Sequence, residues 1–150
     1  MNQHGRYDPW EHASRLDLRI VFRELPGDLM GVYFHGPSRV IALDSRLTQA
    51  ERRCTLAHEL VHLERGDDGH CATAWHESKQ EALVHQLAAR RLIRTEDLAL
   101  ALILHEHLTL QAEELWVDEW TLRTRLAGLS TAERLELAEL CRPVYRRRPA

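Results

Sequence analysis

Lysine is almost missing from this chain: Lys79 stands alone against nineteen arginines, a bias that reads as coding preference rather than chemistry. Aromatic residues are also scarce, at 6%. No stretch approaches the ~18–20 consecutive apolar residues of a membrane span, so none is expected. The opening MNQHGRYDPWEHASR lacks an apolar core and does not read as a signal peptide. Cysteine is sparse and unpaired in pattern. Cys54, Cys71 and Cys141 form no CxxC, which excludes a cysteine-built zinc knuckle or redox motif and points to free thiols in a reducing cytoplasm. Excess positive charge is absent too. The net charge of −3 supplies no global basic field for nucleic acid. Arg142, Arg146, Arg147 and Arg148 make a short basic tail, read as a solvated terminus before it is read as an anchor for an acidic partner.

What is present is a change of period. Leu18–Leu25, Leu29–Phe34 and Arg39–Asp44 read as three short strands, separated by the turn chemistry of Pro26-Gly27-Asp28 and His35-Gly36-Pro37-Ser38. Tight turns between successive strands predict an antiparallel meander. Thr48 and Glu51 then form a capping-box signature, and a helix is expected from there to Glu64, ended by Gly66. On its wheel Ala50, Cys54, Ala57 and Val61 lie together, with Leu56, Leu60 and Leu63 widening the apolar arc. A second helix is expected over about Glu77–Ile93 and a third from Thr95 to Leu104. Two short helices follow around a turn near Trp116–Asp118, and Ser130 with Glu133 opens a last one. Strands followed by helices make the fold class α+β.

The chemistry sits in the first long helix, as His58-Glu59-Leu60-Val61-His62, an HExxH pattern. Residues i and i+4 share one helix face, so His58 and His62 can aim ring nitrogens at one ion. Glu59 is turned ~100° from His58 and so can serve as the carboxylate that takes a proton from an attacking water. A catalytic zinc needs a third protein ligand. Glu81, His85, Ala88 and Leu92 share a stripe of the second helix, where a carboxylate is costly unless it is paired or ligates a metal. That favours Glu81, with His85 one turn on as a possible contact or orienting group. Asp68, six residues beyond His62, is a rival as the last ligand of an HExxHxxGxxH/D pattern, although Arg65 stands where that pattern has glycine. His70 and His76 are looser alternatives.

RVIALDSRLTQAERRCTLAHELVH together with ESKQEALVHQLAARRLI resembles the ImmA/IrrE-type metallopeptidases. The resemblance spans roughly residues 39–129, with Glu81 seven and eight residues before Ala88-Ala89. It implies a small zincin-like domain: a short antiparallel three-stranded sheet packed on an active-site helix and a second ligand helix. It implies a metal set of His58, His62 and Glu81, with Glu59 as catalytic base. His85 stands where the family often has asparagine, and Arg91-Leu92-Ile93-Arg94 where it often has Leu-Leu-Met-Pro. The implied cofactor is Zn²⁺, with Mn²⁺ also suited to such a site. The implied activity is site-specific endopeptidase cleavage of a helix-turn-helix repressor, the alternative being a silent protease-like module that sequesters a regulator. His85, His76 and Tyr33 are candidates for the neighbouring substrate site.

The expected organisation is a lead-in over 1–17, a peptidase core over 18–105, a helical unit resembling a helix-turn-helix over 106–141 and a tail over 142–150. In the helical unit Ala112, Leu115, Val117, Leu122 and Leu126 have core-like spacing. Arg123 and Arg125 could meet phosphates, but Asp118 and Glu119 would repel them, so a packing unit or substrate-docking surface is favoured over DNA binding. Trp116 and Trp120 read first as core and second as partner anchors.

Overall fold

The computed structural model of the chain describes residues 5–34, 36–67 and 74–143, the side chains of 74–77 excepted. The elements run α1 (Pro9–Arg15), β1 (Arg19–Arg23), β2 (Gly31–Phe34), β3 (Val40–Asp44), α2 (Gln49–Arg65), α3 (Ala74–Leu92), α4 (Thr95–Leu104), α5 (Leu108–Leu115), α6 (Glu119–Ala127) and α7 (Thr131–Leu140). The α+β class follows directly. Among the described residues no helix is long and apolar enough to cross a membrane.

The sheet is three-stranded but not a meander. Its order is β1-β3-β2, with β1 parallel and β2 antiparallel to the central β3. The expectation of an antiparallel sheet is therefore corrected. The physical reason lies in β3: Ile41, Ala42 and Leu43 are an unbroken apolar run with no exposure, which demands cover on both faces and both edges. β1 and β2, each partly exposed, take the edges. The apparent lead-in also holds more order than its composition suggests. Asp8 accepts from the N–H groups of Trp10 and Glu11 and Pro9 opens the first turn, so residues 9–15 form a helix.

α2 is the shared support of two apolar clusters. Leu56 and Leu60 pack with Ile41, Leu43, Leu18 and Ala13 on the sheet side. Cys54, Ala57 and Val61 pack with Val84, Leu98, Leu115 and Leu122 on the helical side. This explains the width of the apolar arc. Both predicted capping boxes form, at Thr48 with Glu51 and at Ser130 with Glu133, and Gly66 ends α2 in the left-handed region at φ +67°.

Two arginines that interrupt the apolar pattern are structural. Arg53 is buried and donates to the carbonyls of Tyr7 (3.1 Å) and Trp116 (2.9 Å), the latter closing the C-terminus of α5. Arg125 is buried and donates to Ile93 O at 2.9 Å and to Glu133 at 2.8 Å. It is thus engaged inside the molecule rather than offered to phosphates. Leu115, Val117, Ala112 and Leu122 join the core as their spacing implies. Trp116 and Trp120 do not: each is about half exposed, at 51% and 54%. The first occupies the left-handed turn between α5 and α6, and the second stands at the rim of the cleft described next.

Candidate metal centre

The cleft has a volume of about 1220 Å³. One wall is α2 with Gly66 and Asp67 beyond it, one is β2 with the preceding Asp28–Met30, and the rest comes from Glu81 and His85 of α3 and from Asp118, Trp120 and Thr121 near the start of α6. Three of the sequence-derived candidates meet at its floor. His58 Nε2 lies 3.1 Å from His62 Nε2. Glu81 closes the triangle, with one carboxylate oxygen 2.9 Å from His62 Nε2 and the other 3.3 Å from His58 Nε2. Three ligands on a tetrahedral ion at ~2.0–2.1 Å would be about 3.3 Å apart, so this set fits a small divalent cation with little movement.

A second, looser set overlaps it. His58, Glu81 and His85 also present ligand atoms within 4.8 Å of one another. His85 Nε2 is 3.8 Å from Glu81, and its ring packs on His58 at 4.2 Å and against Trp120 at 4.1 Å. The separation from Glu81 is too long for a hydrogen bond, so His85 joins the cluster mainly through ring contacts. The atoms of His58, His62 and Glu81 lie closer together than those of the second set, and His85 rests against the His58 ring.

The electrostatics suit this chemistry. Burial, with His85 and His62 nearby, lowers the His58 pKa to about 3, so its imidazole is neutral and keeps a lone pair. Its Nδ1 is buried with no hydrogen-bond partner among the described residues. Burial raises Glu59 to about 7, partly offset by His62 and reinforced by Glu81. A carboxylate poised there can both take and return a proton near neutrality. Cys54 lines the cleft as well, but burial pushes its thiol up to about 12, which leaves it uncharged and unreactive.

One participant was not legible from the motif. Asp67 lies just past Gly66, whose left-handed turn folds the chain back so that Asp67 N–H donates to His62 O at 3.2 Å. This puts the Asp67 carboxylate 3.3 Å from His62 Nδ1, while Arg65 donates to it at 2.9 Å. A histidine whose far nitrogen is held by a carboxylate has its ring orientation and tautomer fixed. The signal in the sequence was the glycine turn itself. Tyr33 lines the cleft from β2. Asp68, His70, Cys71 and the side chain of His76 lie outside the described residues.

The profile of the IrrE N-terminal-like domain, Peptidase_M78, matches residues 13–133. The chain belongs to the Peptidase_M78 family. The match begins within α1 and ends within α7, so it takes in the sheet, both helices of the histidine–glutamate cluster and the α5–α6 unit. Membership in Peptidase_M78 makes the chain of a metal-dependent peptidase type, acting on protein. No curated protein and no solved structure matches it.

Proposed function

We propose that the chain is a zinc-dependent endopeptidase in which His58, His62 and Glu81 hold the metal and Glu59 is the general base. The observation that carries this reading is the triangle of donor atoms at 2.9–3.3 Å with a largely buried carboxylate beside it. A divalent ion bound there supplies Lewis acidity toward a peptide carbonyl and toward water, and Mn²⁺ could occupy the same donors. Glu59 takes the proton of the attacking water and delivers it to the departing amine. Asp67 holds the His62 ring in one tautomer. His85 keeps the His58 ring in place, and with Tyr33 it faces the space where a substrate backbone would run.

The substrate we propose is a helix-turn-helix repressor, whose cleavage in the cytoplasm relieves repression of a mobile element or stress response. The cleft supports a basic polypeptide rather than nucleic acid: Asp28, Glu51 and Asp118 line it beyond the catalytic cluster, and among the described residues no lysine or arginine does. The α5–α6 unit supplies Trp120 and Asp118 to that lining, which supports a role in holding the substrate rather than DNA.

The test is to load the purified chain with Zn²⁺, measure bound metal, and incubate it with the helix-turn-helix regulator encoded beside it. Stoichiometric zinc and discrete fragments, both fragments lost in Glu59→Gln, are the expected result. A chain that binds no metal, or a Glu59→Gln variant that cuts at the native rate, would sink the mechanism. An intact regulator in a stable complex would replace cleavage with sequestration.

A further inference from the structure

The contact between β2 and α2 is unusually close at one position, and that position is beside Glu59. A Cβ built on Gly31 would lie 2.7 Å from Thr55 Cγ2, 3.1 Å from Glu59 Oε1 and 3.2 Å from Glu59 Cγ. Ordinary carbon contacts begin at ~3.5 Å, so a side chain here has no room. A lone glycine within a strand commonly marks such a close approach.

The strand has no freedom to step away. Gly31 pairs with Leu43 in the ladder, and Leu43 is fully buried. Directly before it, Met30 O accepts from Asp44 N–H at 2.8 Å. Asp44 is itself locked, accepting from Leu25 N–H at 2.9 Å and from the Arg46 guanidinium at 2.7 Å. β2 is therefore fixed in register and distance by β3. Thr55 and Glu59 are one turn apart on α2, and both face Gly31. Thr55 is buried and β-branched, so its methyl group has few places to go.

We infer that Gly31 is a positioning residue: the bare strand backbone at this point forms the wall that sets where the Glu59 carboxylate stands in the cleft. The inference rests on Glu59 being the base, as proposed above. It adds that the sheet, and not only the helix carrying the motif, aligns that base. The three atoms nearest a Cβ at Gly31 belong to Thr55 and Glu59 rather than to the proposed metal donors, so its effect is separable from metal binding.

The experiment uses the full chain in three forms: native, Gly31→Ala, and Gly31→Ala with Thr55→Ser, which removes the methyl responsible for the 2.7 Å contact. Zinc affinity, Tm and turnover of denatured casein are measured, and the metal-free variants are crystallised. Misplacing a reacting group by about 1 Å can cost ~100-fold. Gly31→Ala is expected to lower kcat about 10–100-fold, with KM and zinc affinity within about twofold of native. The double variant is expected to recover Tm while kcat stays low, because the Glu59 contacts persist. Recovery of kcat together with Tm would overturn the inference, since the glycine would then serve only sheet packing. A Gly31→Ala crystal structure with Glu59 in its native place would overturn it as well, whether or not casein is cut. Failure of the broader reading looks different: native chain without zinc affinity, or Glu59→Gln without effect.

Discussion

Asp44 at the end of β3 and Glu59 in the middle of α2 are both carboxylates withdrawn from water, and their surroundings drive them in opposite directions. Asp44 is ringed by donors: the Arg46 side chain, the backbone N–H of Leu25 and that of Arg46. These hold its pKa well below the usual carboxylate range. Glu59 lies beside the Gly31 backbone instead, and burial lifts it to about 7. A carboxylate saturated with donors is fixed as an anion and ties strands together. One that is desolvated without such donors is left able to exchange a proton. The contrast separates a structural acid from a chemical one within a single β–α layer.

The largest test of that contrast exchanges the two roles. Glu59→Gln is expected to cut peptide cleavage by ~10²–10⁴ while bound zinc and Tm stay near native, measured by turnover, metal analysis and thermal melts. Asp44→Asn is expected to do the reverse. It lowers Tm by roughly 5–10 °C and reduces turnover per folded molecule far less than Glu59→Gln does, because Asp44 reaches the cleft only through β2. A smaller effect is expected at the metal centre's outer partner. Asp67→Asn should weaken zinc binding about 10–100-fold, read by competition with a chelator, because the His62 ring loses its orienting carboxylate. An unchanged affinity would mean the contact to His62 is incidental.

The two acids also differ in the sign of their pH dependence. For Asp44 the folded pKa lies below the unfolded value, so its stabilising contribution is present above about 4 and is lost as pH falls. Glu133, lowered to about 2 by its capping contact with Ser130 and by Arg125, adds to the same acid limb between about 4.5 and 2. Glu59 is raised in the folded, metal-free chain, so its contribution is present below about 4.5 and is lost as pH rises through about 7. Denaturant titrations of metal-free protein should therefore show stability declining at both ends. Glu59→Gln should flatten only the upper decline, and Asp44→Asn part of the lower.

The sequence carried the elements whose signals are local. Thr48 with Glu51 and Ser130 with Glu133 marked helix starts, Gly66 marked a helix end, and the stripe of Glu81, Ala88 and Leu92 pointed across to α2. Strand order was not legible, because turn residues at 26–28 and 36–38 read as hairpins whichever strand ends in the middle. The unbroken apolar run at Ile41–Leu43 was the better clue. The Asp8-Pro9 cap of α1 was present but hidden among polar residues. Asp67 and Gly31 were beyond reach for another reason: each matters through a neighbour that only the folded chain supplies. Trp120 was misread because its spacing is that of a core residue, while the helix it sits on turns that face toward the cleft.

The insertion of β3 between its two predecessors also sets an order of assembly. β1 leaves the ribosome with no neighbour to pair with, since β2 is not adjacent to it. β2 and β3 can close as a local hairpin, and only then does an open edge exist for β1 to join in parallel. Of the three strands β1 is thus made first and is expected to be seated last, which pulsed hydrogen exchange during refolding would show as late protection of residues 19–23.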